Sequence, residues 1–245
     1  MGKRVDRTPL GLSFGAVAAT YDRVRPPYLS RLLDRAQQSL ELEPSAHVLD
    51  LGAGTGRLTR ELVRRFARVV AVEPDGNMRA LIDAGTVLSG SAETIPLRSA
   101  SVDAAFVGEA FHWFDAPQAI AELARVLVPR GGLALISTHW WETEPPVPDA
   151  AQTLLGEPYR CFEDERPPRW DDAFVASPFE SLRRESFEEE ISVDADALLE
   201  LYSTTSSLAA LPDNERSDLL AALRTMLTGP YRLPIKHELA WTRLA

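Results

Sequence analysis

An α/β fold built on a mostly parallel sheet is the class this sequence predicts, and three observations predict it. Short, continuous apolar runs recur along the first 140 residues, amphipathic helical patterns separate them, and the composition is globular, 45% apolar and 25% charged over 245 residues. Runs that are apolar throughout, rather than alternating, suit strands buried on both faces of a sheet, and helices on either side supply the cover. The length fits one α/β domain with an elaboration, or at most two domains.

Taken in order, Ala46–Leu51 (AHVLDL) is the first strand and Val69–Glu73 (VVAVE) the second. Thr86–Leu88 is a weaker candidate, followed by Ala104–Val107 within VDAAFVG and Leu133–Thr138 (LALIST). Leu58, Leu62, Val63 and Phe66 fall on one helical face, as do Ile120, Leu123, Ala124 and Leu127. Gly131-Gly132 is expected to turn the chain out of the second of these helices into the LALIST strand. Prolines in Thr143–Pro148 end the regular alternation. Beyond them, Phe179–Ile191 and Leu233–Leu244 fit long, partly exposed strands. Helical stretches at Ala195–Leu208 and Asn214–Leu227 lie between, with Leu198, Leu201 and Tyr202 as an apolar stripe.

Charge and cysteine content exclude several classes. The formal net charge of −10 argues against a nucleic-acid surface, because phosphate affinity needs clustered Lys and Arg. Most of the acidic excess falls in residues 161–200, which suits a solvated face. Cys161 is the single cysteine, so an intrachain disulfide and a cysteine-based zinc site are both excluded, and no metal is expected. Met1–Arg7 is basic, but Thr8–Leu12 is too short and broken for a signal-peptide core, and no apolar run approaches the ~18 residues of a membrane span. A cytoplasmic protein without a membrane partner is therefore expected.

The most informative stretch is Val48-Leu-Asp50-Leu-Gly52-Ala53-Gly54-Thr55-Gly56-Arg57. A buried strand runs into three glycines at alternate positions and then directly into a helix. Glycine permits positive φ and close approach by a ligand, and a helix start offers N–H groups to an anionic group. Glu73, at the end of the next strand, is placed to accept hydrogen bonds from both hydroxyls of an adenosine ribose. A dinucleotide fingerprint requires glycine where Arg57 stands. Asp50, just before the first glycine, would repel a pyrophosphate yet suit an ammonium or sulfonium. The loop thus favours an aminoacyl nucleoside over NAD; a tight strand–helix turn with no ligand is the bland alternative.

On these residues the sequence resembles the class I S-adenosylmethionine-dependent methyltransferases, over about residues 14–140. Asp50 to Gly56 resembles the family's first motif and Val72-Glu73-Pro74 its second, with Met78 where a methionine often packs on adenine. Gly90-Ser91-Ala92-Glu93-Thr-Ile-Pro96 resembles the segment that holds the adenine edge, except that Ser91 replaces the usual Asp. Phe14 through Tyr21-Asp-Arg-Val-Arg25-Pro26, Ala110 through Asp115, and Arg125 through Gly132 are similar to a small-molecule branch that includes the trans-aconitate methyltransferases. The resemblance implies a Rossmann-like, seven-stranded, mostly parallel sheet with an antiparallel last pair, helices on both faces and a helical cap from the C-terminal part. With the strands and helices expected beyond the prolines, the chain divides into a lid segment at 1–35, a cofactor-binding core at 36–144, and sheet completion plus cap at 145–245. It implies S-adenosylmethionine as cofactor and a small-molecule methyl acceptor, with Tyr21 and Arg25 folded over the cofactor.

Methyl transfer chiefly needs alignment and exclusion of water, and a base only for some acceptors. His112, just past a strand at the carboxyl end of the sheet, is the tentative base, since imidazole serves near neutral pH; a hydrogen-bonded histidine beside Trp113 is the alternative. Glu109 is a candidate contact for the cofactor's methionyl part or an exposed turn acid. Trp113, Phe114, Trp140 and Trp141 are candidate walls of the substrate pocket, with core packing an equal explanation. His47 and His237 suit ordinary strand positions. Rival functions are an NAD-dependent oxidoreductase and a catalytically silent cofactor-binding protein.

Overall fold

Continuous apolar runs can bury both of their faces, and here they become the strands β1 (His47–Leu51), β2 (Arg68–Val72), β3 (Thr86–Leu88), β4 (Val102–Gly108) and β5 (Leu127–His139). The two C-terminal candidates form β6 (Arg183–Val193) and β7 (Tyr231–Arg243). The computed structural model describes residues 13–139, 147–160 and 170–245. Helices α1 (Ala18–Val24) and α2 (Ser30–Ser39) precede the sheet, α3 (Arg57–Leu62) follows β1, α4 (Gly76–Arg79) follows β2, and α5 (Ala116–Val126) joins β4 to β5. Between β5 and β6 lie α6 (Asp149–Arg160) and α7 (Trp170–Phe174). Between β6 and β7 lie α8 (Ala195–Ser203), α9 (Ser206–Ala209) and α10 (Asp213–Met226). No helix among the described residues is long and apolar enough to cross a membrane.

The seven strands form one sheet in the order β3-β2-β1-β4-β5-β7-β6. Pairing is parallel from β3 through β5. An antiparallel bridge between Phe179 and Leu244, and ion pairs Arg184–Glu238 and Arg232–Glu190, mark β6 and β7 as antiparallel partners. β1 has β2 on one side and β4 on the other, so the winding direction reverses between β1 and β4. In open α/β sheets the crevice at such a reversal, beyond the carboxyl ends of the strands, is where ligands bind.

Two compact units make up the chain: residues 27–138, 167–187 and 237–245 in one, and 1–26, 139–166 and 188–236 in the other. In the first, alternate residues of each strand serve opposite faces. Leu49, Leu51, Val107, Leu133 and Leu135 pack with Ala119, Ile120 and Leu123 of α5. Val48, Ala104, Phe106 and Ile136 pack with Leu32 and Leu33 of α2 and Leu58 and Leu62 of α3. Truncating one such leucine to alanine typically costs ~2–5 kcal/mol, so the sheet centre is a rigid base for the loops at its end. In the second unit Ala151, Leu155, Leu198, Leu201, Tyr202, Leu223 and Leu233 form a separate core. The stripe expected from Leu198, Leu201 and Tyr202 is buried there.

Three local expectations change. Gly131 and Gly132 lie inside β5, not at a helix–strand turn: α5 ends at Val126 and the extended chain starts at Leu127. Val102 pairs with Leu127 but Ala104 with Gly132, so the intervening residues bulge, with Arg130 at φ 62°. A Cβ on Gly132 would come within 2.9 Å of the Leu40 side chain, so this glycine serves close packing rather than a turn. Val63 is exposed, because α3 ends one residue earlier and only Leu58, Leu62 and Phe66 reach the core. Finally, Leu32 and Leu33 are buried in the core of the larger unit, so the chain joins that core before residue 35.

Candidate active site

Strand alternation aims Asp50 at the face covered by α3, one residue before the first glycine's neighbour in β1. It is 1% exposed, and its Oδ2 accepts the Thr59 hydroxyl at 2.6 Å, while Oδ1 has no hydrogen-bond partner among the described residues. Burial pushes this carboxyl up to about 7; the Thr59 hydroxyl opposes the rise and the negative charge of Glu73 adds to it. A buried carboxylate oxygen without a donor is costly, and such groups call for a partner.

The loop that follows has φ of 71°, 57° and 82° at Gly52, Gly54 and Gly56, a conformation that favours glycine at all three. The amides of Gly52 and Ala53 donate to the Val72 carbonyl at 2.9 and 3.1 Å, tying the loop to the end of β2. A Cβ on Gly52 would lie 2.7 Å from the Ala110 methyl carbon and 3.2 Å from the Phe114 ring, and one on Gly56 would lie 2.9 Å from Ile82. At Gly54 the nearest atom is Met78 Cε at 3.6 Å, ordinary contact. The outer glycines serve packing; the middle one has room for a Cβ beside Met78. Thr55 is buried, and its carbonyl accepts from Arg60 at 3.1 Å.

Glu73 stands one residue past β2 and is 7% exposed. Its Oε2 accepts the Gly54 amide and its Oε1 the Asp75 amide, both at 2.8 Å. Burial raises its pKa above the ordinary value against these two hydrogen bonds. Each carboxylate oxygen has a second lone pair, so the clamp leaves acceptor capacity for a ligand. Arg79 donates to the carbonyls of Glu73 and Pro74 at 2.8 and 2.9 Å. Asp75 caps α4 through the amides of Asn77 and Met78, which sets the buried Met78 beside Gly54.

The adenine-edge candidates Ser91, Ala92 and Glu93 form a tight turn closed by a Ser91–Thr94 bridge, with Ala92 buried. Glu93 accepts the Asp115 amide at 2.9 Å, which joins this turn to the loop after β4. Glu122 and Arg125 on α5 hold the continuation: Glu122 accepts the Ile95 amide at 2.8 Å, and Arg125 donates to the carbonyls of Ile95 and Leu97.

The loop after β4 begins at Glu109, whose φ of 56° is uncommon for a non-glycine residue and whose amide donates to Ile136 at 2.9 Å. The His112 and Trp113 rings lie 4.6 Å apart at 51°. Phe114 packs at Gly52 and on the buried Phe111, with ring centroids 5.8 Å apart for the two phenylalanines. Phe111 in turn stacks on Phe174 at 5.7 Å. Trp140 and Trp141 lie outside the described residues.

Tyr21 and Arg25 belong to the other compact unit and are brought together there. The Arg25 guanidinium lies 4.8 Å from the Tyr21 ring centroid, and its Nε and Nη2 donate to the hydroxyl and carbonyl of Thr204 at 3.0 and 2.6 Å. Thr204 is fully buried at the end of α8, so Arg25 caps that helix. His47 bonds the Ser101 carbonyl at 2.8 Å, and buried His237 faces the Thr138 hydroxyl at 3.2 Å. Among the described residues no three His, Cys, Asp or Glu side chains are grouped to hold a metal ion.

Two residues that sequence inspection overlooked stand at this end of the sheet. Thr59 holds Asp50; its only signal was its position one turn into the helix after the glycine loop. The Tyr28 hydroxyl lies where a side chain on Gly108, the last residue of β4, would otherwise be. A tyrosine after Pro26-Pro27 gave no local hint of that contact.

The chain is similar in sequence and in fold to known proteins. Residues 49–135 match the model of the family described as methyltransferase domain. An uncharacterized methyltransferase of Mycobacterium tuberculosis is 36% identical over 240 residues, 96% of this chain and 93% of that protein. An uncharacterized methyltransferase of Schizosaccharomyces pombe is 29% identical over 222 residues, 87% of this chain and 86% of that protein. Among solved structures, one assigned as a type II methyltransferase from Anaeromyxobacter dehalogenans superposes with a TM-score of 0.62 at 25% identity, covering 90% of this chain and 98% of that one.

Proposed function

The chain belongs to the methyltransferase family, with the class I fold, and from that premise we propose that it moves a methyl group from S-adenosylmethionine to a small-molecule acceptor. The observation that carries the cofactor assignment is the pairing of two buried acids around an open glycine. Among the described residues Asp50 keeps one oxygen without a partner, Glu73 keeps acceptor capacity beyond its two amide bonds, and at Gly54 between them a Cβ would meet only Met78, in ordinary contact. That donor set fits a nucleoside with a cationic amino-acid arm better than a pyrophosphate.

When bound, S-adenosylmethionine supplies a methyl carbon already activated by its sulfonium. Asp50 faces the cationic arm, and the backbone of Gly52, Ala53, Gly54, Thr55 and Gly56 shapes the cradle. Glu73 accepts the ribose hydroxyls, Pro74 and Met78 line the adenine, and Ser91, Ala92 and Glu93 hold its edge. Glu109 is assigned to the methionyl side. For Arg25 to take a ligand carboxylate it has to exchange its bonds to Thr204. His112, Trp113, Phe114, Trp140 and Trp141 are assigned to the acceptor pocket, with His112 as base where the acceptor needs one. The acidic net charge supports a small acceptor over a nucleic acid. In the same assignment, residues 145–245 complete the sheet and supply the helical cap, and residues 1–35 are the lid segment.

Calorimetry with S-adenosylmethionine, S-adenosylhomocysteine and NAD tests the assignment directly. Binding of the two adenosyl compounds without NAD is the expected result, and preference for NAD would replace methyl transfer with redox chemistry. Release of S-adenosylhomocysteine with a panel of small carboxylates, phenols and amines then separates an active enzyme from a silent binder.

A further inference from the structure

We propose that Thr59 is a positioning residue for the cofactor: its hydroxyl fixes the Asp50 carboxylate so that Oδ1 is presented, charged, to the ligand's cationic arm. This deepens the cofactor assignment above and rests on it. Thr59 is 0% exposed and its hydroxyl donates to Asp50 Oδ2 at 2.6 Å, a short distance typical of a charge-assisted bond. A threonine hydroxyl in a helix commonly bonds a carbonyl one turn back; here it reaches across to the neighbouring strand.

The rest of the side chain is held as well. The Thr59 methyl carbon lies 3.3 Å from where a Cβ on Gly85 would stand, so it packs on that glycine. A β-branched side chain has few χ1 choices in a helix, and with its methyl seated on Gly85 the hydroxyl is directed at Asp50. Two groups act on the Asp50 carboxyl, Thr59 from α3 and Glu73 from the end of β2. Burial and Glu73 disfavour the ionised form, and the Thr59 hydroxyl, with the Thr59 backbone, favours it, so losing the hydroxyl raises the carboxyl further.

Thr59→Val keeps the shape and removes the hydroxyl, whereas Thr59→Ser keeps the hydroxyl and removes the methyl. The dissociation constant for S-adenosylmethionine is to be measured by calorimetry from pH 6 to pH 9 for wild type and both variants. The ratio of variant to wild-type constants is the quantity to follow, because the ligand's own amino-group titration cancels in it. For Thr59→Val the expected ratio is about tenfold at pH 7, falling to within about twofold at pH 9, where Asp50 ionises without help. Thr59→Ser should stay within about threefold throughout. A flat ratio across pH, or a serine variant as weak as the valine one, overturns the proposal and leaves Thr59 a packing residue. If Thr59→Val does not fold, Asp50→Asn decides instead: the ratio of its dissociation constant to the wild-type one should rise from pH 6 to pH 9 as the wild-type carboxyl ionises, and a flat ratio refutes the proposal. Wild-type protein that binds neither adenosyl compound sinks the cofactor assignment itself, a result distinct from a flat ratio.

Discussion

Replacing Asp50 by asparagine should make the ligand-free protein more stable above pH 7 and a weaker binder of the cofactor. The Asp50 carboxyl sits at about 7 instead of 3.8, chiefly through burial. A group raised in the folded state binds more protons folded than unfolded, so its unfavourable contribution is absent below about pH 4 and grows as pH rises to 7. Moving a carboxyl from 3.8 to about 7 corresponds to about 4 kcal/mol of stability lost in the ionised form. Asparagine keeps an oxygen for the Thr59 hydroxyl but places an amide where Oδ1 now lacks a partner, which returns about 1–3 kcal/mol of that gain. The net expectation is about 1–3 kcal/mol of added stability at pH 8 and no gain at pH 4. At about 2–4 °C per kcal/mol for a chain of this size, the melting temperature at pH 8 should rise roughly 3–10 °C. Thermal denaturation at pH 4 and pH 8 measures it, and calorimetry should show S-adenosylmethionine binding weakened at least about tenfold. Equal or lower stability of the variant at pH 8 would refute the account of Asp50 as a destabilising acid retained for its ligand.

Further expectations concern the loop and its neighbours. Glu73→Gln sets an amide donor against one of the two main-chain donors at 2.8 Å, so it should cost about 1–3 kcal/mol of stability and raise the S-adenosylhomocysteine dissociation constant about ten- to hundredfold; wild-type values in both assays would remove it from the site. Gly54→Ala meets only Met78 at 3.6 Å but holds φ at 57°, so calorimetry should show lost binding while circular dichroism shows a folded protein, about 1 kcal/mol less stable. Arg25→Ala removes both bonds to Thr204 and should speed amide exchange in α1 and at the end of α8 about tenfold; in wild type, added S-adenosylhomocysteine should increase protection across residues 14–30, and equal protection means no lid. His112→Ala should lower turnover more than cofactor affinity once an acceptor is found, and equal losses would place it on the cofactor side.

Elements set by short-range pattern were legible in the sequence. β1, β3 and β4 are predominantly apolar, and the glycines at 52, 54 and 56 all adopt the positive φ that only glycine takes without strain. Glu73 was legible as well, because a strand end followed by a short connection leaves little choice about where its acid stands. Hydrophobic period alone also predicted the C-terminal strands with helices between them.

Partners distant in the chain were decided by tertiary structure. Whether Asp50 meets a cation, a water or a hydroxyl depends on how α3 docks, and only the folded molecule shows Thr59 there. Glu93 joins the Asp115 amide, Arg25 closes on Thr204 and Tyr28 covers Gly108 through contacts that no local spacing encodes. Gly131-Gly132 looked like a turn because glycine pairs usually mark one, yet close packing of Gly131 on Val128 and Leu127 and of Gly132 on Leu40 demanded small residues inside a strand. The sequence determined the fold class and the glycine loop because backbone conformation and hydrophobic period are local properties. The environment of each acid, and with it the charge it carries, was left to tertiary structure because desolvation and hydrogen bonding depend on which distant side chains pack around it.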